Sequence, residues 1–194
     1  MNRYGQLLTV IDREKSASLV EVGTWNGDRA LAMIRRARQW RPRVSYLGVD
    51  LFEDASAATD RDELNVKPHH SRDGVRHRLE AELRDLGGVD LLLLKGNSRD
   101  VLPSTAADLA FIDGGHSLPT IENDFDRLKG SRCLVLDDFY GPDRDGRCPD
   151  VTRWGCNELL LHLALEAGWK IRVLPAQDPV RGGGLVQMVE VRRG

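Results

Sequence analysis

The chain has 194 residues, 41% hydrophobic and 30% charged, the balance of a soluble globular protein with one core. A net charge of −2 and a pI near 6.2 supply no basic field for nucleic acid, and no apolar run approaches a membrane span. Three cysteines, Cys133, Cys148 and Cys156, without C-x-x-C spacing exclude a disulfide framework or zinc site and fit a reducing, cytoplasmic setting.

In chain order, the first dozen residues are too short and too soon polar for a signal peptide. Residues 19–22 form a short apolar run ending at Gly23. Residues 28–40 are helical, with Leu31, Ile34 and Ala37 on one face. Residues 44–51 read as a second strand. Residues 53–72 are polar and lack apolar periodicity. Helical spacing returns over 75–86 through Val75, Leu79, Leu83 and Leu86, and stops at Gly87–Gly88. The almost unbroken apolar run 89–94 predicts a strand buried on both faces. Strands at 109–112 and 134–136 flank a helix over 118–128, with Ser117 as its N-cap. A helix over 154–167 ends at Gly168. Two strands, 170–174 and 185–191, are joined by a glycine-rich turn.

This β–α alternation predicts a mainly parallel α/β sheet with helices on both faces and an antiparallel last strand, in one domain. The 53–72 insertion follows the second strand, so it emerges at the ligand-binding edge of such a sheet. It reads either as a lid over substrate or as a disordered spacer. His69 and His70 within it, like His77 and His162, lack acidic partners at metal-ligand spacing and read as surface residues.

Four motifs carry chemistry. In V-E-V-G-T-W-N-G, residues 20–27, a strand runs into a glycine turn and a helix. Gly23 and Gly27 let backbone approach a ligand, and Glu21 suits a cationic or amine-bearing one such as S-adenosylmethionine (SAM). The bland reading is an ordinary strand–turn–helix junction. Trp25 reads as a stacking partner or as core. In G-V-D, residues 48–50, Asp50 ends the second strand where a carboxylate takes ribose hydroxyls, or is simply solvated. In K-G-N-S-R-D-V-L-P, residues 95–103, Asn97 and Ser98 face an adenine edge, or the stretch is a turn with Ser98 as N-cap.

The fourth motif pairs F-I-D-G-G-H-S with L-V-L-D-D-F, residues 111–117 and 134–139. Neighbouring parallel strands would put Asp113, His116, Asp137 and Asp138 on one sheet edge. Three acids buried together need a cation, and carboxylates suit Mg2+ or a similar divalent ion. Side chains alternate along a strand, so Asp137 and Asp138 do not both point inward unless the strand has ended.

These motifs, in this order, resemble class I SAM-dependent methyltransferases, most closely the macrocin O-methyltransferase-like and catechol O-methyltransferase-like branch. The resemblance covers residues 18–140 by motif and the remainder by pattern. It implies a Rossmann-like sandwich with a seven-stranded, mostly parallel sheet and an antiparallel last strand. It implies SAM held by Glu21, Gly23, Thr24, Trp25, Gly27, Asp50, Leu51, Asn97, Ser98 and Asp113. It places a divalent ion on Asp113, Asp137 and Asp138, and gives His116 and Asp113 the catalytic positions. The implied reaction is metal-dependent O-methylation of a small hydroxylated acceptor, with no nucleic-acid or membrane partner and a homo-oligomer left open. The alternatives are a metal-independent methyltransferase of the same fold and a non-catalytic SAM-binding module. Three departures stand out: Asp28-Arg29 after the second motif glycine, Asn97 where many relatives have Asp, and almost no N-terminal extension.

Overall fold

The computed structural model describes residues 2–147, 154–180 and 183–194. Cys148 and residues 181–182 of the expected terminal turn lie outside the described residues. Helix α1 (Arg3–Glu14) precedes β1 (Ser18–Val22), α2 (Asp28–Arg38), β2 (Val44–Asp50), α3 (Ala57–Asp62), α4 (Arg72–Leu83) and β3 (Val89–Lys95). Then come α5 (Ser98–Val101), β4 (Leu109–Ile112), α6 (Leu118–Leu128), β5 (Leu134–Gly141), α7 (Gly155–Leu165), β6 (Trp169–Pro179) and β7 (Leu185–Arg193).

The seven strands run in the order β3-β2-β1-β4-β5-β7-β6. β1 pairs in parallel with β2 and β4, and β4 in parallel with β5. β7 inserts between β5 and β6 and is antiparallel to both. Strands are added outward in one direction from β1 to β3 and in the other from β4 on, so the C-terminal ends of β1 and β4 open the crevice where such sheets bind ligands. One face is covered by α1, α2 and α4 through Leu7, Ile11, Ile34 and Leu79. The other is covered by α6 and α7 through Phe125, Leu128, Leu159 and Leu163.

The structure adds two elements the sequence left open and changes one expectation. The N-terminal segment is a helix. Asn2 caps it by accepting from Gly5 N, and Leu7, Val10 and Ile11 form its buried stripe. β3 is an edge strand rather than one buried on both faces: Leu92 is 54% exposed, because only the four-residue α5 follows it. The 53–72 segment is ordered around α3, whose Ser56–Thr59 capping box holds a helix with no buried residue.

β5 breaks its ladder with β7 between Leu136 and Phe139, where Asp138 takes a positive φ of 58°. A bulge re-aims side chains out of strict alternation. It is how both Asp137 and Asp138 reach the same guanidinium, that of Arg3.

Candidate active site

The β1 and β4 ends meet at backbone distance. Gly23 has φ 92°, its N–H donates to Val49 O at 2.8 Å, and Asp113 N donates to Val22 O at 2.9 Å. A Cβ on Gly23 would lie 2.0 Å from Asp113 O, so only glycine fits. Beside this junction lies a cavity of about 330 Å³, within the usual range of small-molecule sites. Gly23, Thr24, Trp25, Asp50, Leu51, Asn97, Ser98, Asp113 and His116 line it.

Two residues expected in the same set sit elsewhere. Gly27 opens α2 with φ 83°, and its open side packs on Val75 and Leu79 of α4. Glu21 is fully buried beneath the glycine turn, where Tyr46 Oη donates to its Oε2 while Oε1 has no partner. Burial pushes Glu21 up to about 8, against the pull of the Tyr46 bond and the Arg29 charge.

Asp50 spends both carboxylate oxygens on backbone, accepting from Trp25 N at 2.8 Å and Phe52 N at 2.7 Å. This fixes the β2 end against the β1 turn, where Trp25 itself has φ 49°. Asn97, not Ser98, is the N-cap of α5, accepting from Arg99 N at 3.0 Å.

The 53–72 segment forms the cavity's outer wall through Thr59, Asp60, Glu63, Asn65, Lys67 and His69. Glu63 accepts from Ser117 N and Ser117 Oγ at 2.9 Å and from Thr120 Oγ1 at 2.6 Å. Ser117 thus stands at the N-cap position of α6 while its hydroxyl serves Glu63. On the opposite side, Trp25 Nε1 donates to Pro68 O at 2.8 Å. His69 bonds Asp60 at 2.8 Å, and His70 packs edge-on against Trp25. Sequence reasoning named no residue of this wall beyond the two histidines, because polar side chains in a loop carry no periodic signal.

Asp113, His116, Asp137 and Asp138 do converge, but each acid already faces a cation. His116 Nδ1 lies 3.0 Å from Asp138 Oδ2, which makes Nδ1 the protonated nitrogen and leaves Nε2 as the basic one. The His116 ring also packs edge-on against Trp154, which stacks on Tyr140. Arg3 Nη1 lies 2.5 Å from Asp137 Oδ1 and 3.4 Å from Asp138 Oδ1. Arg29 Nε lies 3.8 Å from Asp113 Oδ2, and its guanidinium stacks on the Tyr4 ring at 3.3 Å. Asp137 and Asp138 do not line this cavity; a crevice of about 10 Å³ behind Gly114 and His116 touches them. Among the described residues, no group of three or more His, Cys, Asp or Glu is arranged to hold a metal ion. The divalent centre expected on Asp113, Asp137 and Asp138 therefore meets a donor set already engaged by two arginines and a histidine.

Burial and the charge of Asp138 push Asp113 up to about 6, against Arg29 and Lys67. Burial, Asp113 and Asp138 raise Asp137 well above the usual range, against Arg3. Burial also works against ionised Asp138, yet its bond from His116 and the nearby positive charges hold it below the usual range. The three acids thus divide: Asp138 is the settled anion and the other two are harder to ionise. Arg3 and Tyr4 went unseen in the sequence, although Leu7, Val10 and Ile11 on the same helix carry the 3.6-residue period that reveals α1.

A methyltransferase-domain family model matches residues 20–136. No curated protein matches the chain. Among solved structures, it is similar to the O-methyltransferase TomG from Streptomyces achromogenes in complex with SAM. The identity is 17% and the TM-score 0.62, covering 98% of this chain and 79% of that one. It is similar to the Bacillus cereus O-methyltransferase in complex with SAH (16% identity, TM-score 0.61), covering 98% of this chain and 80% of that one. It is also similar to the methyltransferase domain of bacterial CtHen1-C (15% identity, TM-score 0.61), covering 100% and 97% of the two chains. No helix among the described residues is long and apolar enough to cross a membrane.

Proposed function

The chain belongs to the methyltransferase-domain family matched over residues 20–136, and we propose that it transfers a methyl group from SAM to the hydroxyl oxygen of a small acceptor. The observation that carries this reading is the His116–Asp138 pair, joined at 3.0 Å, on a cavity built at the β1–β4 switch point.

The residues fit the cofactor. Gly23 and Thr24 offer backbone at a turn where a side chain has no room. In this reading Asp50 would take the ribose and Asn97 and Ser98 the adenine end, with Trp25 and Leu51 as apolar wall; the support is that all five line the cavity. Asp113, on the same cavity, would take the methionine amine. SAM supplies an electrophilic methyl group.

The remaining chemistry falls to the protein. His116 Nε2 accepts the acceptor's hydroxyl proton as general base. Asp138 holds the Nδ1–H, fixing the tautomer and stabilising the imidazolium that forms, as the acid of a catalytic triad does. The wall carried by Glu63 and Lys67 acts as a lid, excluding water and holding acceptor oxygen and methyl carbon in line. No step is routed through a divalent ion, because the donor set it would need is engaged by Arg3, Arg29 and His116. The reaction is then the metal-independent form of O-methylation.

Calorimetry with SAM and SAH tests the first half: absence of binding by either would sink the reading. Methyl-labelled SAM with a panel of phenols, sugars and hydroxy acids tests the second. Turnover lost in His116→Gln with SAH affinity intact supports the base assignment, whereas transfer only to amine acceptors refutes O-methylation.

A further inference from the structure

The charges around β5 are met from a distant part of the chain. Arg3 lies 134 positions before Asp137, at the start of α1. Its side chain is 11% exposed and every nitrogen is used. Nε lies 3.2 Å from Asp178 Oδ2, Nη1 bonds Asp137 and Asp138, and Nη2 donates to Tyr4 Oη at 3.1 Å. A part-buried guanidinium with four of its five N–H donors engaged by named partners is held there by the fold rather than by chance of a surface rotamer.

A divalent ion seated on the same acids would need carboxylate oxygens at about 2.1 Å for Mg2+ in near-octahedral order. Arg3 Nη1 already lies 2.5 Å from Asp137 Oδ1, and His116 Nδ1 lies 3.0 Å from Asp138 Oδ2. Arg29 faces Asp113 Oδ2 at 3.8 Å. A divalent ion would therefore find Asp113, Asp137 and Asp138 each already facing an arginine, and would have to displace those contacts to reach the oxygens. Removing Arg3 instead would leave Asp137, 2% exposed, without its cation.

We propose that Arg3 is the resident counter-cation of this site: it occupies the place between Asp137 and Asp138 that a divalent metal would take, and through Asp138 it positions His116. The inference deepens the metal-independent reading above and rests on it for the role of His116. The occupancy claim stands on the ion pairs alone.

The test uses the full chain with Mn2+ as probe, followed by water-proton relaxation and calorimetry. Wild type is expected to show no stoichiometric Mn2+ binding below millimolar concentration and no change in thermal midpoint with EDTA. Arg3→Met, which keeps the apolar stem, is expected to bind one Mn2+ at least tenfold more tightly than wild type. Asp137→Asn in the Arg3→Met background is expected to abolish that gain. Arg3→Lys, which restores a cation, is expected to suppress it. A purely structural role for Arg3 would not create a metal site. Tight, Asp137-dependent Mn2+ binding by wild type overturns the proposal, as does a folded Arg3→Met that gains none. If Arg3→Met fails to fold, the wild-type measurement decides alone. SAH binding in the same samples reports on the cofactor site, so failure of the methyltransferase reading is seen separately.

Discussion

Gly23→Ala isolates the contact on which the switch point is built. The new Cβ would fall 2.0 Å from Asp113 O and 2.5 Å from Asp113 C, both backbone atoms. Neither can swing aside as a side chain would, because Asp113 N is tied to Val22 O and Gly23 N to Val49 O. Relief requires the β1 and β4 ends to separate by more than 1 Å. A φ of 92° adds its own cost, about 1–3 kcal/mol for a non-glycine residue. Forced overpacking adds about 1–3 kcal/mol. The sum, about 2–6 kcal/mol, corresponds to a fall in Tm of about 4–24 °C at roughly 2–4 °C per kcal/mol. Because Asp113 and Gly114 line the cavity, SAH affinity should drop at least tenfold. Gly168→Ala is the control, since Gly168 has φ 98° and nothing within 4 Å of its added Cβ. It carries the conformational cost without the clash. The assay is calorimetric unfolding beside SAH titration. If Gly23→Ala loses no more stability than Gly168→Ala and binds SAH normally, the close approach of β1 and β4 does not shape the site.

The base assignment predicts that His116→Gln lowers kcat by about 10²–10⁴-fold while SAH affinity stays within threefold. Asp138→Asn should lower kcat as well, by freeing the ring to take the other tautomer, and a kcat within twofold of wild type would remove Asp138 from the mechanism. Glu21 is raised to about 8 in the folded chain, so the native state holds a proton that the unfolded state releases near the ordinary glutamate range. That stability is fully present below the unfolded value and is lost as pH rises through about 8, so the cofactor-free protein should weaken between about pH 5 and 8. The loss approaches 1.4 kcal/mol per pH unit for one proton, and Glu21→Gln should flatten the profile. An unchanged slope in Glu21→Gln would show that other groups carry it. Glu63→Ala removes the three hydrogen bonds that fasten the 53–72 segment to α6. It should raise amide exchange over residues 57–69 and increase KM for SAM by about tenfold, with a rate per bound complex closer to wild type.

Most of the sheet was legible because strand and helix periods are local signals. The helix over Leu118–Leu128 matches its expected bounds, and the carboxylate-ended runs at Ile112 and Leu136 are indeed parallel neighbours. One reading failed and one stretch was left open, both for physical reasons. Four consecutive leucines in β3 look like a strand buried on both faces, yet hydrophobicity does not reveal that the following helix is a single turn, too short to cover them. The stretch around α3 buries nothing, so its helix rests on a capping box rather than on amphipathicity. In the candidate site, the acids were visible because they end apolar runs, and the glycines because they interrupt them. Their counter-charges were not. Arg3 and Asp137 meet only after the chain has folded, and sequence distance carries no trace of that pairing.

The geometry of α1 explains why the missing cation comes from the N-terminus. Arg3, Leu7 and Ile11 are spaced i, i+4, i+8 and so share one face of the helix. Leu7 and Ile11 are fully buried against the sheet, which fixes the helix axis and its rotation. Extending that stripe one turn toward the N-terminus carries position 3 past the apolar core to the strand ends, where Asp137 and Asp138 stand. Tyr4, the next residue, meets Arg29 of α2 there, and Arg29 in turn faces Asp113. A single amphipathic helix thereby supplies core packing at one end and charge compensation at the other. In the folded chain the acids of β4 and β5 are thus withdrawn from water beside their cations. A chain that solved the problem with a divalent ion would have no need to aim an arginine along this stripe. Here the arginine is placed by the same residues that build the core.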